Sequence, residues 1–171
     1  MRSIAFMVLL GVLAVTPATA EEWPESITEA RKAAVDFALT MDIVTGALAS
    51  TCARAGEDLA PRAEAARGAW VVANGQLVDS AHKYLLFIKA AVAQQKGEEA
   101  GDAFYEGQRT RLFADAQKAL TDTFPEGGIA ADECEAVIER LGSGAMNLEA
   151  KPAFFSALME IDDAISRIRE R

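Results

Sequence analysis

The sequence predicts an all-α protein: an up-down antiparallel four-helix bundle with one additional short helix, preceded by a cleaved signal peptide. Two observations predict this fold. Apolar residues recur at alternating steps of three and four along five segments, the spacing that lays one stripe along a helix. The period-two alternation that indicates half-buried strands is missing from the sequence. Long helices joined by short loops pack as antiparallel neighbours, so the four longer segments are expected to form the bundle.

The first twenty residues have the pattern of a secretory signal. Arg2 supplies a positive start, an apolar run follows, and small residues at 18–20 match what a signal peptidase reads. The apolar run is shorter than the about 20 residues that cross a bilayer. We therefore expect residues 1–20 to be removed and residues 21–171 to fold as a single helical bundle domain. The mature chain is then periplasmic or secreted, with no membrane anchor.

The charge balance is acidic and excludes one class of partner. The chain has 17 Lys and Arg against 26 Asp and Glu, and Arg2 is the only charged residue of the signal, so the mature net charge is −10. Such a surface repels phosphate backbones and anionic lipid. Nucleic acid is therefore not an expected partner.

The first predicted helix spans residues 27–54. Ser26 and Glu29 match a capping box, in which the hydroxyl and the carboxylate each satisfy a backbone N–H of the first turn. Gly56 follows the last apolar position and is a typical helix stop. The stripe between them includes Phe37 and Cys52.

The second predicted helix spans residues 61–96. Pro61 is acceptable in the first turn, where its missing N–H would have no partner. The pair Asn74-Gly75 interrupts the pattern and is also a common hairpin turn. Because the apolar stripe keeps its phase across the pair, we expect a bend within one helix rather than a hairpin.

Three further helices complete the prediction. They cover residues 102–123 and 130–141, and a last helix begins near Pro152. The stripe of residues 102–123 is loose and includes Leu112 and Phe113, whereas residues 130–141 place Cys134 on an apolar face. The segment 130–141 is the additional short helix.

Cys52 and Cys134 are the only two cysteines, and we expect them to form a disulfide. Both lie on apolar stripes of a chain that carries an export signal, and disulfides persist in oxidising compartments. In an up-down bundle the end of the first helix and the start of the short helix lie at the same end. The alternatives are two buried free thiols, or a catalytic thiol, which needs an imidazole beside the sulfur.

His82 is the only histidine and leads to two alternative functions. Asp79 lies one turn before it and would hold an imidazole proton in an enzyme site. The other alternative is a non-covalent haem or metal carrier, in which His82 and either Met41 or Met159 would hold haem between helices. One histidine supplies neither a di-iron centre nor a structural zinc site, so the sequence predicts no metal ligands, cofactor or catalytic residues.

The hypothesis that the sequence favours is a binding or accessory protein that engages a protein partner or a small apolar ligand. A bend at Asn74-Gly75 would leave a gap between packed helices. The candidate ligand pocket is therefore placed beside that bend, with five residues around it: Trp70, Asn74, Asp79, His82 and Tyr84.

Overall fold

The computed structural model describes residues 27–124 and 129–169, and these residues are almost entirely helical. The helices are α1 (Glu29–Ala55), α2 (Leu59–Lys96), α3 (Glu98–Thr123), α4 (Ala131–Gly142) and α5 (Pro152–Arg169), with a 3₁₀ turn at Leu148–Ala150. Neither described range contains a β-strand, so the all-α prediction is confirmed. The predicted signal peptide lies outside the described residues.

The start of α1 differs from the predicted capping box. Thr28 is the N-cap, and its hydroxyl oxygen accepts a hydrogen bond from the Arg31 N–H at 3.2 Å. Ser26 lies outside the described residues. Serine and threonine are both favoured N-caps, so the sequence pattern alone did not separate the two positions.

The second predicted helix is one uninterrupted helix. α2 continues through Asn74-Gly75 for 38 residues, about 57 Å at 1.5 Å per residue. The hairpin alternative is therefore wrong. Pro61 lies in the first turn of α2, as predicted.

α1 and α2 form the centre of the fold, and the other helices pack around this pair. α3, α4 and α5 each contact both α1 and α2, but no two of these three pack extensively on one another. A four-helix bundle of the usual kind would place α3 beside α5. The bundle prediction is thus correct only in part, because the two central helices separate the flanking ones.

Side-chain contacts fix where α5 lies along the central pair. Arg31 near the start of α1 forms an ion pair with Glu160 at 3.1 Å. Six residues further along α1, the ring centroid of Phe37 lies 4.8 Å from that of Phe154. The residue numbers run in opposite senses, so α5 is antiparallel to α1.

α3 is the least buried of the long helices. Its fully buried positions are Gly101, Leu112 and Ala116. Phe113, which the sequence assigned to the core stripe, is 55% exposed. α3 lies on the outside of the central pair with one narrow inner face, and Phe113 falls beside that face rather than within it.

One residue connects α2 to α3. Gly97 has a φ of 94°, a left-handed conformation that glycine adopts without a steric penalty. The first turn of α3 then lies directly against the last turns of α2: an ideal Cβ built on Gly101 would be 2.8 Å from the Ala93 Cβ and 3.0 Å from the Lys89 carbonyl oxygen. An ion pair between Lys89 and Asp102 at 2.6 Å also joins the two helices.

Gly101→Ala is expected to lower the free energy of unfolding by about 1–3 kcal/mol, because the added methyl group overpacks the contact between α2 and α3. Gly107→Ala is the matched control on the same helix, since a Cβ there would meet no atom within 4 Å. That control should stabilise by about 0.4–1 kcal/mol. Urea unfolding followed by far-UV circular dichroism measures both changes. A Gly101→Ala variant as stable as Gly107→Ala would contradict the close approach.

Candidate functional site

A cleft of about 240 Å³ opens between α1, α2 and α3. Its apolar part includes Leu39, Leu85 and Leu112, one from each helix and all buried. The lining residues are Leu39, Asp42, Ile43, His82, Leu85, Tyr105, Arg109, Leu112 and Phe113. Within each helix, successive lining residues are one, three or four positions apart. They therefore lie on adjacent turns of one helix face.

The carboxylate of Asp42 is already compensated. It accepts a hydrogen bond from Arg67 of α2, and the same guanidinium donates to the Thr45 hydroxyl at 2.8 Å. Arg67 also lies 4.6 Å from the centroid of the Trp70 ring. Because these groups hold one another, the negative charge of Asp42 is balanced inside the fold.

Arg109 is held more loosely than Arg67. Its Nη1 donates to both carboxylate oxygens of Glu106, at 3.2 and 3.3 Å, and its side chain is 50% exposed. An exposed ion pair of this kind contributes little stability. The guanidinium of Arg109 is therefore a cation at the cleft that can accept another partner.

His82 lines the same cleft but is not paired as the sequence suggested. Asp79 forms an ion pair with Lys83 instead. Within residues 27–124 and 129–169, the His82 ring makes no hydrogen bond. The pairing of Asp79 with His82 that an enzyme site would need is not formed, because the lysine one position beyond His82 takes the carboxylate.

The aromatic ring of Tyr105 is flanked by a second cation. The Lys89 Nζ lies 5.7 Å from the centroid of that ring. The hydrogen bond from Lys89 to Asp102 raises the pKa of Lys89, and the charge of Asp102 adds to the effect. Lys89 therefore stays protonated beside the cleft.

Trp70 and Asn74 lie away from this cleft and hold the segment before α5. The Trp70 indole N–H donates to the Met146 carbonyl oxygen at 2.9 Å. The Asn74 amide donates to Asn147 Oδ1 at 3.0 Å, and the Leu148 N–H donates to Asn74 Oδ1 at 2.8 Å. Residues 146–148 thus pack on Trp70 and Asn74, two residues of the predicted pocket.

Asp79 and Tyr84, two further residues of the predicted pocket, do not line this cleft. Tyr84 is 4% exposed, and its ring centroid lies 6.3 Å from that of Phe87. Burial raises the pKa of its hydroxyl. Of the five predicted residues, His82 alone lines the cleft. The other polar residues that line the cleft are Asp42, Tyr105 and Arg109. They come from α1 and α3, so no spacing along the sequence indicates that they lie near His82.

Cys52 and Cys134 meet at the end of the molecule where α1 ends and α4 begins. Their Cα atoms are 5.3 Å apart, at disulfide distance, and both side chains are fully buried. The described residues contain no free cysteine. Such a pair suggests an oxidising compartment.

A bidentate ion pair lies beside the cysteines. The Arg62 guanidinium of α2 donates to both carboxylate oxygens of Glu135 in α4. The hydrogen bonds from Arg62 lower the pKa of Glu135. Glu135 therefore holds α4 on the central pair rather than serving as a free acid.

The metal and haem alternatives both depend on His82. Within 27–124 and 129–169, no three His, Cys, Asp or Glu side chains are placed to hold a metal ion. Met41 and Met159, the proposed partners of His82, do not line the cleft. The haem-carrier alternative stays a prediction.

α1 is the one described helix that is long and apolar enough to cross a membrane by length and composition. Nearly half of its apolar window is buried in the protein core. A core helix passes the same test of length and composition, and α1 has that position here.

A second hollow of about 190 Å³ lies between α1 and α3. It is lined by Ala47, Thr51, Gln117, Leu120, Thr121, Phe124 and Ile129. None of these lining residues is charged, whereas the first cleft combines an apolar interior with charged groups. Specific ligand sites are mostly apolar with a few placed polar groups, so the first cleft is the stronger candidate.

No protein-family model, characterised protein or solved structure matches this chain, so the candidate site is defined by its own geometry.

Proposed function

We propose that the mature chain is a periplasmic or secreted binding protein that holds a small ligand with an apolar body in the cleft between α1, α2 and α3. The observation that carries this proposal is the cleft itself, in which buried leucines from three helices line a space open to solvent. Apolar surface on such a ligand would leave water on binding, which is favourable.

The size of the cleft limits the ligand. Pockets that bind drug-sized ligands have volumes of about 300–1,000 Å³, and this cleft has about 240 Å³. The ligand is therefore a small molecule with a short alkyl chain or one aromatic ring.

The export of the protein is supported by two features that are independent of each other. The leader-like residues 1–20 predict secretion, and the buried pair Cys52 and Cys134 fits an oxidising compartment. Binding would then take place outside the cytosol.

A protein partner is the second candidate, and exposed apolar residues near the cleft favour it. Phe113 is 55% exposed at the cleft, and Leu86, one turn after His82 on α2, is 49% exposed. Aromatic residues are enriched in protein interfaces. A partner would cover these two side chains rather than fill the cleft.

A titration of ¹⁵N-labelled mature protein with 1-octanol tests the small-ligand proposal. We expect backbone amide signals of cleft-lining residues to shift. Ile43→Phe should weaken octanol binding about fivefold or more, because the larger ring fills the apolar space. Val72→Phe on the 89%-exposed position of α2 is the matched control and should leave the affinity unchanged.

The proposal is wrong if octanol shifts no amide of the cleft, or if Ile43→Phe and Val72→Phe bind octanol equally. Shifts confined to Leu120 and Phe124 would move the site to the second hollow and would also contradict it.

A further inference from the structure

We infer that the cleft selects a ligand whose apolar body ends in a carboxylate, and that Arg109 binds this carboxylate. The inference rests on the ligand-binding function proposed above and names the class of ligand. It follows from how the charged groups around the cleft are already paired.

Asp42 and Arg109 are the two cleft-lining residues that carry a full charge. Asp42 is bound by Arg67, which is itself held by Thr45 and Trp70. The negative charge of the cleft is therefore balanced by a cation that belongs to the fold. Arg109, in contrast, is paired among the described residues only with the exposed Glu106. Its positive charge therefore determines which ligand charge the cleft favours.

The hydrogen-bonding pattern of Arg109 leaves donors for a ligand. Both contacts with Glu106 use Nη1, so within the described residues Nη2 and Nε donate to no protein group. A guanidinium presents its N–H groups as a planar fork that binds a carboxylate through two parallel hydrogen bonds. A ligand carboxylate would meet an arginine whose existing pair with Glu106 is exposed and weak.

His82 and Tyr105 add two hydrogen-bond donors around the same space. Both line the cleft, and neither donates a hydrogen bond to another described residue. An imidazole N–H and a phenol O–H are both donors to an anionic oxygen. Lys89, which lies against the Tyr105 ring, is already paired with Asp102.

The acidity of the whole protein makes this preference informative. The mature chain has a net charge of −10, so its surface in general disfavours anions. An anion that binds better than its neutral analogue must be recognised locally. The buried leucines of the three helices would take the alkyl chain while the arginine holds the head.

The test compares octanoate with 1-octanol, which both have eight carbons in a straight chain and end in a carboxylate and an uncharged hydroxyl group, respectively. We expect the oxidised mature protein to bind octanoate about three- to tenfold more tightly than 1-octanol. A gain of this size is what a partly exposed ion pair contributes to affinity. Arg109→Gln should remove this advantage and leave octanol affinity within about twofold. Both affinities are measured by amide shifts of the cleft residues.

Arg111→Gln is the matched control. Arg111 lies on the same helix with the same 50% side-chain exposure, and it pairs with Asp36 and Gln108 outside the cleft. The same charge is removed, so long-range electrostatics change equally. We expect Arg111→Gln to bind both compounds like the unmodified protein.

Each other outcome has a distinct meaning. Equal affinities for octanoate and octanol at the cleft would overturn the carboxylate inference while the proposed binding function stands. Equal losses for the two compounds in Arg109→Gln, or equal octanoate losses in Arg109→Gln and Arg111→Gln, would overturn the assignment to Arg109. No binding of either compound would remove the proposed function itself.

Discussion

Replacing Cys52 and Cys134 together by alanine should lower the free energy of unfolding by about 4 kcal/mol. The two cysteines are 82 positions apart, and a crosslink that closes a loop of this length lowers the conformational entropy of the unfolded chain and so raises its free energy by about that much in the loop-closure model. Natural domains have a total stability of about 5–15 kcal/mol. The loss would therefore be a large fraction of the whole, and urea unfolding followed by far-UV circular dichroism should show it directly.

The reduced native protein provides the control for this double variant. Alanine avoids placing an unpaired hydroxyl in a site where both cysteines are fully buried. Dithiothreitol should bring the unmodified protein close to the stability of the double variant and leave the variant unchanged. If dithiothreitol does not change the urea midpoint of the unmodified protein, the disulfide does not stabilise the fold as described.

Trp70→Ala should lower the free energy of unfolding by about 3–5 kcal/mol, the range for large-to-small changes at buried tryptophan. Trp70 is 1% exposed and lies in the first half of α2. Its removal leaves a cavity under the segment before α5 and takes away the stacking surface of Arg67. It also leaves the Met146 carbonyl oxygen without its indole donor.

Two further variants separate these contributions. Trp70→Phe keeps most of the buried apolar surface and removes the donor, so it should cost about 1–3 kcal/mol. Val72→Ala changes an apolar residue that is 89% exposed on the same helix and should stay within about 0.5 kcal/mol of the unmodified protein. Chemical unfolding monitored by circular dichroism is suitable because tryptophan fluorescence changes with the substitution. A Trp70→Ala variant as stable as Val72→Ala would contradict the core position of Trp70.

Helix positions were predictable because they depend on local spacing. The predicted helix 61–96 is α2, Leu59–Lys96, and the predicted short helix 130–141 is α4, Ala131–Gly142. The predicted start of α3 was four residues late. The sequence pattern did not predict that Gly97 alone would connect α2 to α3. That tight connection depends on the close approach of Gly101 to Ala93, which is a tertiary contact.

The packing order of the helices was less predictable, because apolar stripes do not say which stripe meets which. The broad faces of α1 and α2 allowed both to be central, with α3 and α5 each packed on this pair. The 3₁₀ turn at Leu148–Ala150 also had no periodic signal. Its position depends on Asn74, which the sequence interpretation placed in a ligand pocket.

The candidate site illustrates the same limit. His82 stood out in the sequence because it is the only histidine. In the sequence, Asp42 and Arg109 look like charged residues on a solvent-exposed helix face. They line the same cleft only because α1 and α3 both pack on α2. Residues that come from three helices have no common spacing along the chain, so their convergence was not predictable.

The link between Cys52 and Cys134 also changes what a single cut in the backbone does. A protease that hydrolyses any one peptide bond between these cysteines leaves two pieces that are still joined covalently through sulfur. The whole of α2 and the whole of α3 lie within that stretch. In a compartment outside the cytosol that contains proteases, the two fragments of a cleaved molecule would stay covalently linked and could remain folded together.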